Sequence, residues 1–116
     1  MTELVALLST GKGSWSEIAR LIKAQNWENV FLITDEFGMT FTAPNAQLVQ
    51  VNFQKNAVVL AQDILKGLSG KVTGFEVALN MISGDGNAHM ALMSAIMKMG
   101  VGFRIVTVTE NGVEEV

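Results

Sequence analysis

The chain is predicted to fold as an α/β protein, a three-layer sandwich around a mostly parallel sheet. Three observations predict it. Short apolar runs alternate with stretches of helical periodicity along the chain. Two of those runs end in glycine loops that open helices: Val5-Ala6-Leu7 precedes Gly11-Lys12-Gly13, and Val77-Ala78-Leu79 precedes Gly84-Asp85-Gly86. The last apolar run is followed by Asn111-Gly112, a hairpin signal.

Leu4 to Leu8 is continuously apolar and stops at Ser9-Thr10-Gly11, as a strand buried on both faces does. Ser14 and Glu17 form an S-x-x-E capping box, in which hydroxyl and carboxylate satisfy free amides at a helix start. Trp15, Ile18, Ala19, Leu21 and Ile22 then recur at helical spacing, carrying that helix to Gln25. Asn29 to Thr34, NVFLIT, is a second buried strand. Asp35 to Gln47 holds Gly38 and the single proline, Pro44, and offers no regular element beyond a helical turn within DEFGMTF. Leu48 to Phe53 alternates apolar and polar residues, the pattern of a third strand nearer a sheet edge.

Asn56 caps a second helix whose Ala57, Leu60, Ala61, Ile64, Leu65 and Leu68 share one face, with Gly67 and Gly70 as candidate stops. Val72 to Ile82 is the fourth strand, and the run from Gly84 to Gly100 is a loop and a third helix. Phe103 to Thr109 is the fifth strand, and Asn111-Gly112 turns it into a short antiparallel sixth, Val113 to Val116. Right-handed crossovers between such elements favour the doubly wound order 3-2-1-4-5-6. In that order the first and fourth strands are neighbours, and a crevice opens beyond their carboxyl ends. Both glycine loops lie there.

A length of 116 residues with 49% hydrophobic content suits one domain, residues 1–116, with one core. Charged residues make up only 16%, sparse for the surface of a small monomer, so a homodimer is expected. Net charge is −3 and no Lys/Arg run exists, which argues against duplex nucleic acid as a partner. The lack of cysteine excludes disulfides and thiolate metal sites and fits a reducing cytoplasm. MTELVALLST has no basic region, and no stretch approaches the ~20 apolar residues of a membrane span. The expectation is a cytoplasmic protein with no membrane partner, no metal and no cofactor.

The first loop, Ser9-Thr10-Gly11-Lys12-Gly13-Ser14, offers close backbone approach, hydroxyls, a helix N-terminus and one ammonium, a set that suits phosphate. It is not a Walker A motif, because the leading glycine is absent and Gly13 follows the lysine. It is also a broken dinucleotide fingerprint, with Ser16 at the third glycine position. In the second loop, Ser83-Gly84-Asp85-Gly86-Asn87, Asp85 and Asn87 are either caps of the third helix or ligand contacts. His89, the single histidine, falls in the first turn of that helix, where the dipole favours a neutral, packing or hydrogen-bonding imidazole. Trp15 is either core or a stacking surface for a base. The third helix, with Met90, Met93, Met97 and Met99, is apolar nearly all round, as a helix covered by the sheet on one side and by a second subunit on the other would be; the alternative is a deep core helix.

At Val5 to Ser14, Asn80 to Asn87 and Phe103 to Val116, the chain resembles the CRISPR-associated Rossmann-fold (CARF) domains of antiviral defence. That family pairs a strand ending in a Ser-rich loop with a later strand ending in a Ser/Thr-Gly-Gly-type loop, then a strand and hairpin. Here Asp85 splits the paired glycines. The resemblance implies a Rossmann-like homodimer that binds a cyclic oligoadenylate across its two-fold axis. Ser9, Thr10, Gly11, Lys12 and Gly13 would contact the ligand from the first loop, and Ser83, Gly84, Gly86 and Asn87 from the second. Some members also open the ring by directing a ribose hydroxyl at its neighbouring phosphate. For such a ring nuclease activity, Lys12 and Ser9 would be the candidates. A non-catalytic interaction subunit is the remaining reading.

Overall fold

The computed structural model describes residues 2–9 and 14–116. A six-stranded sheet of order β3-β2-β1-β4-β5-β6 runs through it, formed by β1 (Glu3–Leu8), β2 (Val30–Thr34), β3 (Ala46–Gln50), β4 (Glu76–Asn80), β5 (Gly102–Thr109) and β6 (Gly112–Glu115). The first five strands are parallel, and β6 returns antiparallel to β5. The fold is therefore the predicted one: α/β, doubly wound, with a C-terminal hairpin.

The two faces of the sheet follow from the period of two along β1, all six of whose residues are buried. Val5 and Leu7 point to one face with Phe31, Ile33, Val77 and Leu79, beneath α2 (Ala57–Leu68) and α3 (Gly86–Met99). Leu4, Ala6 and Leu8 point to the other, where Ile18, Leu21 and Ile22 of α1 (Ser14–Lys23) meet Leu32, Ala78 and Val106. Central strands are enclosed on both sides, and each fully buried Leu, Ile or Phe among them contributes about 1.5–3 kcal/mol. The register pairs Leu7 with Ile33 and Ala6 with Asn80, so β1 ends level with β2 and beside the end of β4.

Several element boundaries differ from the sequence expectation, each for a local reason. The third strand is Ala46–Gln50, two residues earlier than its alternating pattern suggests: its ladder starts where Ala46 meets Val30, and the chain leaves the sheet where Asn52 Oδ1 accepts the Gln54 N–H at 2.9 Å. The fourth strand shortens to Glu76–Asn80. Gly67 does not stop α2; it lies inside the helix against Val49, and the helix ends at Leu68 with Gly70 beyond it at φ 78°. The hairpin turn is shifted by one residue. Thr109 pairs with Gly112, so Glu110 and Asn111 form the turn, and the positive φ falls on Gly112. The helical turn within DEFGMTF is a short 3₁₀ segment, Phe37–Thr40.

At the amino end of β1 lies a buried carboxylate that no sequence pattern marked. Glu3 is 1% exposed. It accepts hydrogen bonds from Asn29 Nδ2 at 2.9 Å, Thr73 N at 2.9 Å and Gly74 N at 2.7 Å. Burial pushes its pKa up, but the bonds from Asn29, Gly74 and Thr73 outweigh that and hold the carboxyl below the ordinary glutamate value. One side chain thus ties β1 to the start of β2 and to the segment entering β4.

Candidate functional site

The carboxyl ends of β1 and β4 are joined by side-chain hydrogen bonds. Ser9, the residue after β1, donates its N–H to Ser83 Oγ at 2.7 Å, and the two hydroxyl oxygens are 2.7 Å apart. Ser9 Oγ also accepts the Gly84 N–H at 3.1 Å. Ser83 is only 2% exposed, and a buried hydroxyl proton needs an acceptor. Among the described residues that acceptor is Ser9 Oγ. Ser9 Oγ thus receives two bonds, which polarises its own O–H and leaves that proton for an outside acceptor.

Three further contacts fix this geometry. Trp15 donates its indole N–H to the Ser9 carbonyl at 2.7 Å and packs edge-on against Phe41, ring centroids 5.6 Å apart. Trp15 is therefore a half-buried strut for the Ser9 backbone. His89 Nε2 lies 3.0 Å from the Ser83 carbonyl, and a carbonyl only accepts, so Nε2 carries a proton and donates it. Gly84 sits at φ 93°, and a Cβ there would come within 3.2 Å of Leu7 Cδ1 and 3.4 Å of Ala88 Cβ. A side chain would be strained at Gly84 and would press on the strand below.

Asp85 caps α3, its Oδ1 accepting the Ala88 N–H at 2.9 Å. A negative charge already stands at the positive end of that helix, so the α3 terminus is a poor seat for a second anion. Asn87 donates its Nδ2 hydrogen to the Lys55 carbonyl at 2.9 Å, tying α3 to the loop before α2.

Beside these contacts opens a hollow of about 410 Å³, lined among the described residues by Ser9, Asp35, Phe53, Gln54, Gly84, Asp85, Asn87 and Ala88. It lies at the β1–β4 switch point, the place where open α/β sheets bind ligands. Of the sequence candidates, Ser9, Gly84 and Asn87 line it. Ser83 lies beneath it and acts through Ser9. Gly86 and Ser14 are the first residues of α3 and α1 and are not in its lining. Thr10, Gly11, Lys12 and Gly13 lie outside the described residues. Asp35, Phe53 and Gln54 were missed. Asp35 could have been found: it directly follows a buried strand about 20 residues beyond the glycine loop, the spacing of the acidic residue in dinucleotide folds. Phe53 and Gln54 belong to a loop whose path no pattern fixes.

Among the described residues no cluster of three or more His, Asp or Glu could hold a metal ion, and no helix is long and apolar enough to cross a membrane. No family model matches the chain, and no curated protein matches it. Fold and crevice together define the class: a doubly wound α/β protein with a polar hollow at its switch point.

Proposed function

We propose that the chain is a nucleotide-binding module of the CARF type, taking a cyclic oligoadenylate or another phosphate-bearing ligand in the β1–β4 crevice. The observation that carries this reading is the bonded pair Ser9 and Ser83, which directs a polarised hydroxyl from one loop while the other loop supplies the Gly84 turn. The phosphate lies on the Ser9 side, because Asp85 occupies the α3 terminus. The module works in the cytoplasm as a sensor and needs no cofactor.

The test is a thermal-shift screen of linear and cyclic nucleotides, with product analysis of each hit. A true ligand at ~100 times its Kd stabilises by about 2.7 kcal/mol, a rise of several degrees. Ser9→Ala, which removes the hydroxyl that lines the hollow, should weaken that ligand about tenfold, by loss of one hydrogen bond to a charged group. If no nucleotide raises the melting temperature, the reading fails. Conversion of a bound ring to linear product would make the chain a ring nuclease rather than a sensor.

The module works as a homodimer. On α3, Ala88, Ala91, Leu92, Ala95 and Ile96 are buried against the sheet and α2, whereas Met90 and Met97 are 62% and 66% exposed. Two methionines at i and i+7 share a helix face that a second copy would cover. Met97→Asp should give a folded monomer by light scattering with unchanged circular dichroism. A wild-type monomer at micromolar concentration would sink the dimer.

A further inference from the structure

We infer that Asp35 accepts a hydrogen bond from a ribose hydroxyl and that the crevice selects ribonucleotides over deoxyribonucleotides, an assignment that rests on the crevice being the ligand site. Asp35 directly follows β2, and β2 pairs with β1, so the carboxylate stands one strand away from Ser9 at the same edge of the sheet. It lines the same hollow as Ser9, Gly84 and Asn87. Its backbone carbonyl and its Oδ1 both accept the Gly38 N–H, at 3.1 and 3.2 Å, which holds the side chain against the 3₁₀ segment. Its Oδ2 has no partner among the described residues.

The chemistry of the lining decides what that oxygen would meet. Among the described residues no basic side chain lines the hollow, so a phosphoryl group placed against Asp35 would be repelled. A hydroxyl is attracted, since an ionised carboxylate only accepts. Asp85, the other carboxylate, has one oxygen committed to the Ala88 amide. Beside it, at the end of the neighbouring strand, Ser9 offers a donor. A ligand satisfies both residues when a hydroxyl lies next to a phosphoryl oxygen: the hydroxyl donates to Asp35 and the phosphoryl oxygen accepts from Ser9. The 2′-hydroxyl of a ribonucleotide beside its phosphate is such a pair, and a deoxyribonucleotide lacks half of it. Phe53, half-buried in the same wall, gives the sugar or base an apolar surface to pack on.

Calorimetry on the intact chain tests this, with adenosine 3′-monophosphate and cyclic tetra-adenylate as probes, each against its 2′-deoxy counterpart. The expected result is a preference of tenfold or more for the ribose form by the wild type. Asp35→Asn keeps an oxygen for the Gly38 amide but replaces the free carboxylate oxygen, so it should reduce the preference to about twofold with little change in melting temperature. Asp35→Ser, which also retains a capping oxygen, serves if the amide variant folds poorly. Equal binding of ribose and deoxy probes, or a preference that survives both substitutions, overturns the Asp35 assignment and leaves the site reading intact. If none of the four probes binds, both readings fall together.

Discussion

Glu3→Ala will lower the stability of the chain by about 3 kcal/mol, read by urea denaturation at neutral pH. Three donors converge on the Glu3 carboxylate, from Asn29, Thr73 and Gly74. Removing the acceptor leaves them at a site that is nearly sealed from water, and stranding a buried donor costs about 1–3 kcal/mol. The effect also has a pH signature. The folded-state pKa of Glu3 lies below its ordinary value, so in the window between the two the unfolded chain binds the extra proton. Stability from this group is present above the unfolded value of about 4.3 and is lost as pH falls through the folded pKa. Glu3→Gln, which keeps the shape and one acceptor oxygen, should therefore be less stable at neutral pH and converge on the wild type in acid. Parallel stability curves for the two proteins between about pH 3 and 7 would show that the carboxylate charge does not matter.

That the carboxylate went unnoticed in the sequence shows what patterns of one dimension carry. The sheet order was legible because β1, β2 and β4 each hold an unbroken apolar run, residues 4–8, 30–33 and 77–79, and such runs joined by helical periods admit few arrangements. The caps at Asn56 and Asp85 were legible because their partners, Val59 and Ala88, lie three residues on. Glu3 was not, because its partners are 26, 70 and 71 residues away. The same separation explains the site. Ser9 and Ser83 were each visible as loop residues, but their mutual bond spans 74 residues and depends on β1 and β4 ending side by side. Phe53 and Gln54 reach the hollow only because β3 ends two strands away and its loop folds back. In α3 the composition suggested an apolar surface all round; the alanines at 88, 91 and 95 settle the inward face, since small side chains let the helix lie close to the sheet and α2, and the methionines at 90 and 97 are left outside.

Gly38→Ala is the second large effect, a loss of about 3 kcal/mol, and it tests how Asp35 is held. A Cβ on Gly38 would stand 1.6 Å from Thr34 Oγ1 and 2.7 Å from Thr34 Cβ. Thr34 cannot easily yield: it is fully buried, β-branched, and donates its hydroxyl to the Leu8 carbonyl at 2.6 Å. Either Thr34 turns away and strands that carbonyl, or the 3₁₀ segment lifts from the sheet; overpacking of this kind costs about 1–3 kcal/mol and a stranded buried group a similar amount. Because the Gly38 N–H holds both the carbonyl and the carboxylate of Asp35, lifting the segment also moves Asp35 away from the crevice. Thr34→Ala removes the closest contact, so in a double-mutant cycle the pair should cost less than the sum of the singles by more than about 1 kcal/mol. Additivity within about 0.5 kcal/mol would mean that the two residues do not bear on each other. If the cycle couples as expected, the same variants separate two roles of the segment: Gly38→Ala should weaken nucleotide binding as well as stability, whereas Asp35→Asn should weaken binding alone.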